Sequence, residues 1–318
     1  MNITSEPPPL TDPGSSRLVA VAIYSILGSI GIIGNGLVLV VMIAVKDLRN
    51  ITNLFIANQS IIDMTTSIFL FITFIAPHPA VPKQKMAANF ICSFWNSGYI
   101  FWGTIISSTY NLVMLALERY FAVMYPVAYR NKFSYRRAAG VAVAPWIVGF
   151  GYGIHWMVVN QHVDGRCIVK YESNFIRGFI GCLTVIVEFV IPLIIIAYVY
   201  IRIGKLMRQR VEDVGNPSTE TRSDVTTAEP GLPNYREKAR KNVIKTLLIV
   251  CITYVICWTP NQIVFLYYNL GGPIDLNGPV FYASVYIAFV NMCINPVIYT
   301  FKYRKFQKGL KKLFRMKA

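Results

Sequence analysis

Seven long stretches of the chain are nearly free of charge: Leu18 to Val45, Ile51 to Ala76, Met86 to Leu117, Ala138 to Val163, Gly178 to Ile201, Thr246 to Ile274 and Leu276 to Phe301. As a helix, each is long enough to cross ~30 Å of hydrocarbon. Their interiors hold two acids, Asp63 and Glu188, and no Lys or Arg, as the cost of burying charge in lipid requires. The pattern predicts an all-α membrane protein, a seven-transmembrane helix bundle over residues 18–301. Residues 1–17 form a polar, Pro-rich tail, and a stretch at about residues 209–235, rich in Ser, Thr, Pro and acids, is expected to be a disordered loop. In residues 302–318, Phe306, Leu310, Leu313 and Phe314 recur at i, i+4, i+7 and i+8 among cations. That spacing predicts a short amphipathic cytoplasmic helix lying on membrane lipid.

Composition agrees: 54% hydrophobic residues, 14% charged and a mean hydropathy of +0.47 exclude a water-soluble globular chain. A net charge of +16 raises the question of nucleic acid, and the position of the cations answers it. Segments 46–50, 118–137, 202–245 and 302–318 hold 25 of the 31 Lys and Arg. By the positive-inside rule these face the cytoplasm, so the N-terminus is extracellular and the number of crossings is odd. The basic excess is mostly an orientation signal of a multi-pass membrane protein, and no nucleic-acid partner is expected.

Four of the six cysteines lie inside spans, whereas Cys92 and Cys167 both fall on the oxidising side. A Cys92–Cys167 disulfide is expected, the alternative being two free thiols. Asn2 begins the one glycosylation acceptor placed outside, Asn2-Ile3-Thr4. Asp164-Gly165, followed by the β-favouring Cys167-Ile168-Val169, suggests a hairpin in the same outer loop. Within the 209–235 loop, Ser218, Thr219, Thr221, Ser223, Thr226 and Thr227 are candidate phosphate acceptors.

Seven spans alone do not name a function. A proton pump or transporter needs several intramembrane carboxylates or repeat-related broken helices, and a retinal pigment needs a lysine in the last span; none lies between Leu276 and Phe301. The residues present point elsewhere. Gly34-Asn35-Gly36-Leu37-Val38 stands in the first span, Asn53-Leu54 and Asp63 in the second, Glu118-Arg119-Tyr120 with Pro126 after the third, and Trp146 in the fourth. Pro192 and Tyr200 stand in the fifth, Cys257-Trp258-Thr259-Pro260 in the sixth, and Asn295-Pro296-Val297-Ile298-Tyr299 in the seventh. In this ordered set the chain resembles a rhodopsin-like (class A) G-protein-coupled receptor.

The resemblance implies a non-enzymatic receptor that binds an extracellular ligand and activates a heterotrimeric G protein, with arrestin as a further partner. It implies an activation switch made of Glu118, Arg119, Tyr120, Pro192, Tyr200, Tyr254, Trp258, Pro260, Asn295, Pro296 and Tyr299, and a G-protein contact at Arg119, Pro126 and Val127. Prolines 192, 260 and 296 have a physical role of their own, because each removes a helical hydrogen bond and creates a kink. No cofactor is implied. By the same resemblance Asp63, Ser108, Asn291 and Asn295 would hold a sodium ion as an allosteric ligand, although Met292 stands where many relatives carry a serine. Three departures matter. Arg240 occupies the inner end of the sixth span where some relatives have an acid for Arg119, so that lock is missing. Thr109 and Tyr254 put hydroxyls into the switch below the ligand site. The Cys92-to-Arg119 spacing is two residues longer than usual, which predicts a bulge or extra partial turn.

The ligand is read mostly from what is missing. Phe101 stands where amine receptors carry an aspartate on the third span, which disfavours a monoamine. The outer half of the bundle offers aromatic and amide side chains, and Phe101, Glu188, Trp258, Asn261, Gln262, Phe265, Tyr286 and Phe289 are the candidate ligand-binding residues. Such a cup suits a peptide or other amphipathic ligand. The TYNLVMLALERY and CWTPNQIVF stretches are similar to those of short-neuropeptide receptors of the galanin and allatostatin-like group. A non-peptide small molecule or lipid, or a transporter of the same helix count, are the alternatives. With no interior Lys or Arg to pair with it, Glu188 is expected to serve as counter-ion to a cationic ligand group, the alternatives being a pairing with His155 or a neutral carboxyl satisfied by Thr and Tyr hydroxyls.

Overall fold

The structure, a computed structural model, describes residues 3–4, 15–215, 232–276 and 278–314. Among them seven helical segments are long and apolar enough to cross a membrane: Arg17–Ala44, Ile51–Phe74, Lys85–Met124, Tyr135–Val159, Asn174–Gln209, Lys241–Asn269 and Pro279–Lys302. These are spans one to seven. Their outward faces carry large apolar side chains such as Ile33, Ile43, Ile147 and Phe301, all well exposed in the isolated bundle. Polar side chains point inward instead, with Asn35, Gln59, Asp63 and Asn111 fully buried. That inversion is stable only with hydrocarbon outside.

The long third span begins irregularly, as its spacing predicts. A π-helical turn at Ile91–Asn96 is followed by Gly98 at φ +65°, a conformation that suits glycine because no Cβ meets the carbonyl. The regular helix then runs Tyr99–Met124. Span five carries a second π turn, Ile186–Val190, just before Pro192. Its carbonyls are met by tyrosines from neighbouring spans: Tyr110 Oη donates to Val187 O at 3.0 Å and Tyr254 Oη to Glu188 O at 2.8 Å.

The bundle is not purely helical. Strands β1 (Ile3–Thr4), β2 (Asn160–Val163) and β3 (Arg166–Val169) form an antiparallel sheet in the order β1-β3-β2. Asp164 and Gly165, both at positive φ, make the two-residue turn of the β2–β3 hairpin. The tail strand pairs Ile3 with Val169 and Thr4 with Ile168. The Cys92–Cys167 disulfide, with Cα atoms 5.1 Å apart, fastens β3 to the start of span three. Asn2 lies outside the described residues.

Helix covers both described ends of the stretch at about residues 209–235. It runs to Gly215 on one side and resumes at Leu232 on the other. Residues 216–231, with the six candidate phosphate acceptors, lie outside the described residues. After span seven a helix occupies Arg304–Leu313. Its Phe306 is fully buried, and Gly309 is apposed to Val41 and Leu48.

Spans three and four pack closely around Gly149. A Cβ there would collide with the Gly103 carbonyl oxygen and with Ser107 Oγ and its backbone nitrogen. Gly151, on the same helix, faces open space. Gly149→Ala is therefore expected to lower the melting temperature of the purified protein by roughly 3 to 8 °C through overpacking, with Gly151→Ala as the near-neutral control in the same thermal-shift measurement.

Candidate functional site

Three linked layers run down the axis of the bundle. The outermost is aromatic. Phe101 is fully buried and its ring lies 5.2 Å from each of Phe74, Trp102 and Phe289. Tyr24 bridges Phe74 and Tyr286 at 5.1 and 5.4 Å, and Trp156 stacks on Trp102 at 6.1 Å and meets Phe265 edge-on at 6.2 Å. Asn261 donates to Ser284 Oγ at 3.4 Å. Trp258 Nε1, Gln262 Oε1, Trp156 Nε1 and His155 Nε2 are buried without a hydrogen-bond partner, and each such group costs roughly 1 to 3 kcal/mol until an incoming donor or acceptor meets it. Tyr24 and Phe74 escaped the sequence reading. An aromatic residue within an apolar run of spans one and two carries no signal of which face it occupies.

Glu188 is placed differently from these rings. It sits in the π turn of span five beside Tyr110, Tyr152 and Tyr254, and its carboxylate has no ion pair or hydrogen bond among the described residues. Tyr152 Oη is within 3.1 Å of Thr184 Oγ1 on the same stretch. Thr109 adjoins the Tyr254 hydroxyl, so the two hydroxyls singled out from sequence do meet.

The middle layer is centred on Asp63, which is fully buried. Ser108 Oγ donates to its Oδ1 at 2.7 Å, Asn295 Nδ2 to its Oδ2 at 2.9 Å, and Gln59 Nε2 to both oxygens at 3.1 and 3.2 Å. A cavity of about 10 Å³, room for one water-sized sphere, is lined by Asp63, Ser108, Trp258, Asn291 and Met292 among others. Asn291 Oδ1 and Asn295 Oδ1 are buried carbonyl oxygens without a donor. Oxygen acceptors around a carboxylate are the donor set that a hard cation takes, so the residues present fit sodium. Gln59 escaped the sequence reading because a glutamine inside a span has no motif to mark it.

The innermost layer holds Arg119. Its guanidinium donates to Glu118 and to Thr52 Oγ1. Glu118 also accepts from Thr52 Oγ1 at 3.3 Å and from the hydroxyl of Tyr129, which lies in the short helix Pro126–Lys132. Burial, then the Glu118 carboxylate, push the Tyr129 phenol up from its ordinary pKa, so it remains a neutral donor. Tyr200 and Tyr299, both in the expected switch, are turned inward, the Tyr200 hydroxyl beside the Cys251 thiol and the Tyr299 hydroxyl buried without a hydrogen bond. Tyr120 packs near Tyr125 and Tyr198, while Pro126 and Val127 face solvent. Pro260 and Pro296 lie inside their helices and Pro192 follows the π turn. The side chain of Arg240 lies outside the described residues.

A family model described as "7 transmembrane receptor (rhodopsin family)" matches residues 34–299. The chain belongs to that family. The receptor is 26% identical to galanin receptor 2b of Danio rerio over 309 residues, covering 94% of this chain and 75% of the relative. It is 25% identical to the substance-P receptor of Cavia porcellus over 323 residues, 98% of this chain and 74% of the relative. Galanin receptor type 1 of Rattus norvegicus is 24% identical over 330 residues, 99% of this chain and 87% of the relative.

The hold on Glu118 gives a measurable expectation. Thr52→Val and Tyr129→Phe each remove one donor from a buried carboxylate, at about 1 to 3 kcal/mol. Each is expected to lower the ligand-free receptor's melting temperature by roughly 2 to 6 °C, and a double variant no less stable than either single one would contradict the shared role.

Proposed function

We propose that the receptor sits in the plasma membrane with its N-terminus outside, binds a short extracellular peptide in the aromatic cup, and activates a heterotrimeric G protein. The observation that carries this reading is the cup itself, in which buried rings alternate with the unpartnered polar atoms of Trp258, Gln262 and Trp156. An amphipathic peptide offers apolar side chains to the rings and backbone groups to those atoms. The names of the relatives, galanin and substance-P receptors, support a peptide over a compact amine. The disulfide-tethered hairpin supports it too, as a polar rim at the mouth.

Ligand binding at Trp258 acts next to the Asp63 cavity, since Trp258 lines both. A peptide that favours a different packing of spans six and seven, hinged at Pro260 and Pro296, shifts the equilibrium by its differential affinity for the two packings. Arg119 then exchanges Glu118 and Thr52 for Tyr200 and Tyr299, opening the inner face beside Pro126 and Val127 to the G protein. Sodium, where Asp63, Ser108, Asn291 and Asn295 hold it, would favour the resting packing and by linkage oppose agonist binding.

The direct test is a screen of a neuropeptide library with calcium, cAMP and G-protein dissociation readouts in transfected cells. Silence across the library, with activation by a lipid or small amphiphile instead, would refute the peptide reading. With an agonist in hand, Arg119→Ala is expected to retain binding while nucleotide exchange falls at least ~10-fold; unchanged exchange would remove Arg119 from the mechanism. Glu188 is proposed as counter-ion for a cationic group of the peptide, on the ground that its carboxylate has no partner of its own. Glu188→Gln is then expected to weaken such an agonist by about 1 to 3 kcal/mol at normal surface expression, and unchanged potency would leave Glu188 as part of the π turn alone.

A further inference from the structure

The Asp63 carboxylate has about four acceptor positions, and the protein directs three donor groups at its two oxygens. One oxygen takes Ser108 Oγ and Gln59 Nε2, the other Asn295 Nδ2 and Gln59 Nε2. Gln59 is the donor that both oxygens share, and it stands one helical turn from Asp63 on span two. The amide is itself fixed at its other end. Gln59 Oε1 accepts from Asn111 Nδ2 at 2.7 Å, Asn111 Oδ1 accepts from Asn58 Nδ2 at 2.8 Å, and Asn58 Oδ1 accepts from Trp146 Nε1 at 3.1 Å. Gln59 Nε2 also reaches Ser108 Oγ at 2.5 Å. A chain of amides thus runs from Asp63 through span three to the tryptophan of span four, with Gln59 and Asn111 fully buried.

A cation is drawn to a buried carboxylate because its charge would otherwise be unpaired, and donors that already meet that charge lower the gain from the ion. We propose that Gln59 is an internal, neutral substitute for the sodium ion. Its amide holds Asp63 in contact with spans three and seven, leaves the adjoining cavity to water, and makes the resting packing largely independent of sodium. This inference deepens, and rests on, the sodium reading of the Asp63 site. It assigns to Gln59 the part of a positioning residue that sets how strongly that site demands an ion.

Substitution by methionine tests it with little change of volume. Gln59→Met removes the amide donor to Asp63 and leaves Ser108 and Asn295 in place, while Asn111 keeps Phe55 O at 3.1 Å and Asn58 as partners, so the relay is not stranded. The ligand-free receptor is purified into nanodiscs and melted in sodium chloride and in N-methyl-D-glucamine chloride at equal ionic strength. Wild type is expected to differ by less than about 1 °C between the two salts, and Gln59→Met to gain about 3 °C or more in sodium, a gain abolished by adding Asp63→Asn. Should Gln59→Met fail to fold, Asn111→Ala, which frees the Gln59 carbonyl, is expected to raise sodium sensitivity in the same direction. A wild type stabilised by sodium as strongly as Gln59→Met would overturn the inference and leave the sodium reading standing. No sodium gain in either variant would overturn both. The peptide reading is untouched by these outcomes, since no agonist enters the measurement.

Discussion

The buried carboxylate of Asp63 is the interaction around which the rest of the bundle is arranged. A charge in the middle of a membrane protein is tolerated only if donors surround it, and here they come from spans two, three and seven. Those spans are therefore held at fixed distances at mid-depth, where Gly34 in span one lies close to the ring of Pro296 and Asn35 donates to Met292 O at 2.9 Å. Span four joins through Trp146 and Asn58. Trp258 connects this centre with the aromatic layer, since it belongs to that layer and also lines the Asp63 cavity.

The inner end solves a different electrostatic problem with local means. Arg119 has its counter-charge next to it in sequence, and Thr52 and Tyr129 fasten that pair to span two and to the short helix after span three. An acid on span six is thus not required to hold the guanidinium at rest. Tyr303 Oη meets Asn53 Oδ1 at 2.7 Å nearby, so the turn after span seven is tied to span two as well.

Much of this was legible in the sequence because lipid simplifies the pattern. The spans follow from the cost of charge in hydrocarbon, and the disulfide from there being two outer cysteines. The hairpin follows from Asp164-Gly165 and the first bulge from an over-long spacing. What escaped depends on side-chain direction. Gln59 and Thr52 sit on a helix whose polar residues have no fixed periodicity in a fully apolar setting, so sequence spacing does not say which of them converge. Tyr24 and Phe74 join the cup only through packing across spans, and Tyr129 reaches Glu118 because the chain turns back at Pro126. Phe101 likewise meets the rings of Phe74, Trp102 and Phe289 through the way spans two, three and seven close.

The tail strand has a consequence for how the mouth of the receptor meets the outside. Because β1 lies against β3 and β2 against its other side, β3 has both flanks occupied. Backbone pairing with an extended newcomer is open only at the rims of the sheet, on a two-residue strand or along β2. The receptor in effect shields the middle strand of its own hairpin sheet, so a ligand that reaches the bundle past it meets side chains and not an open strand edge.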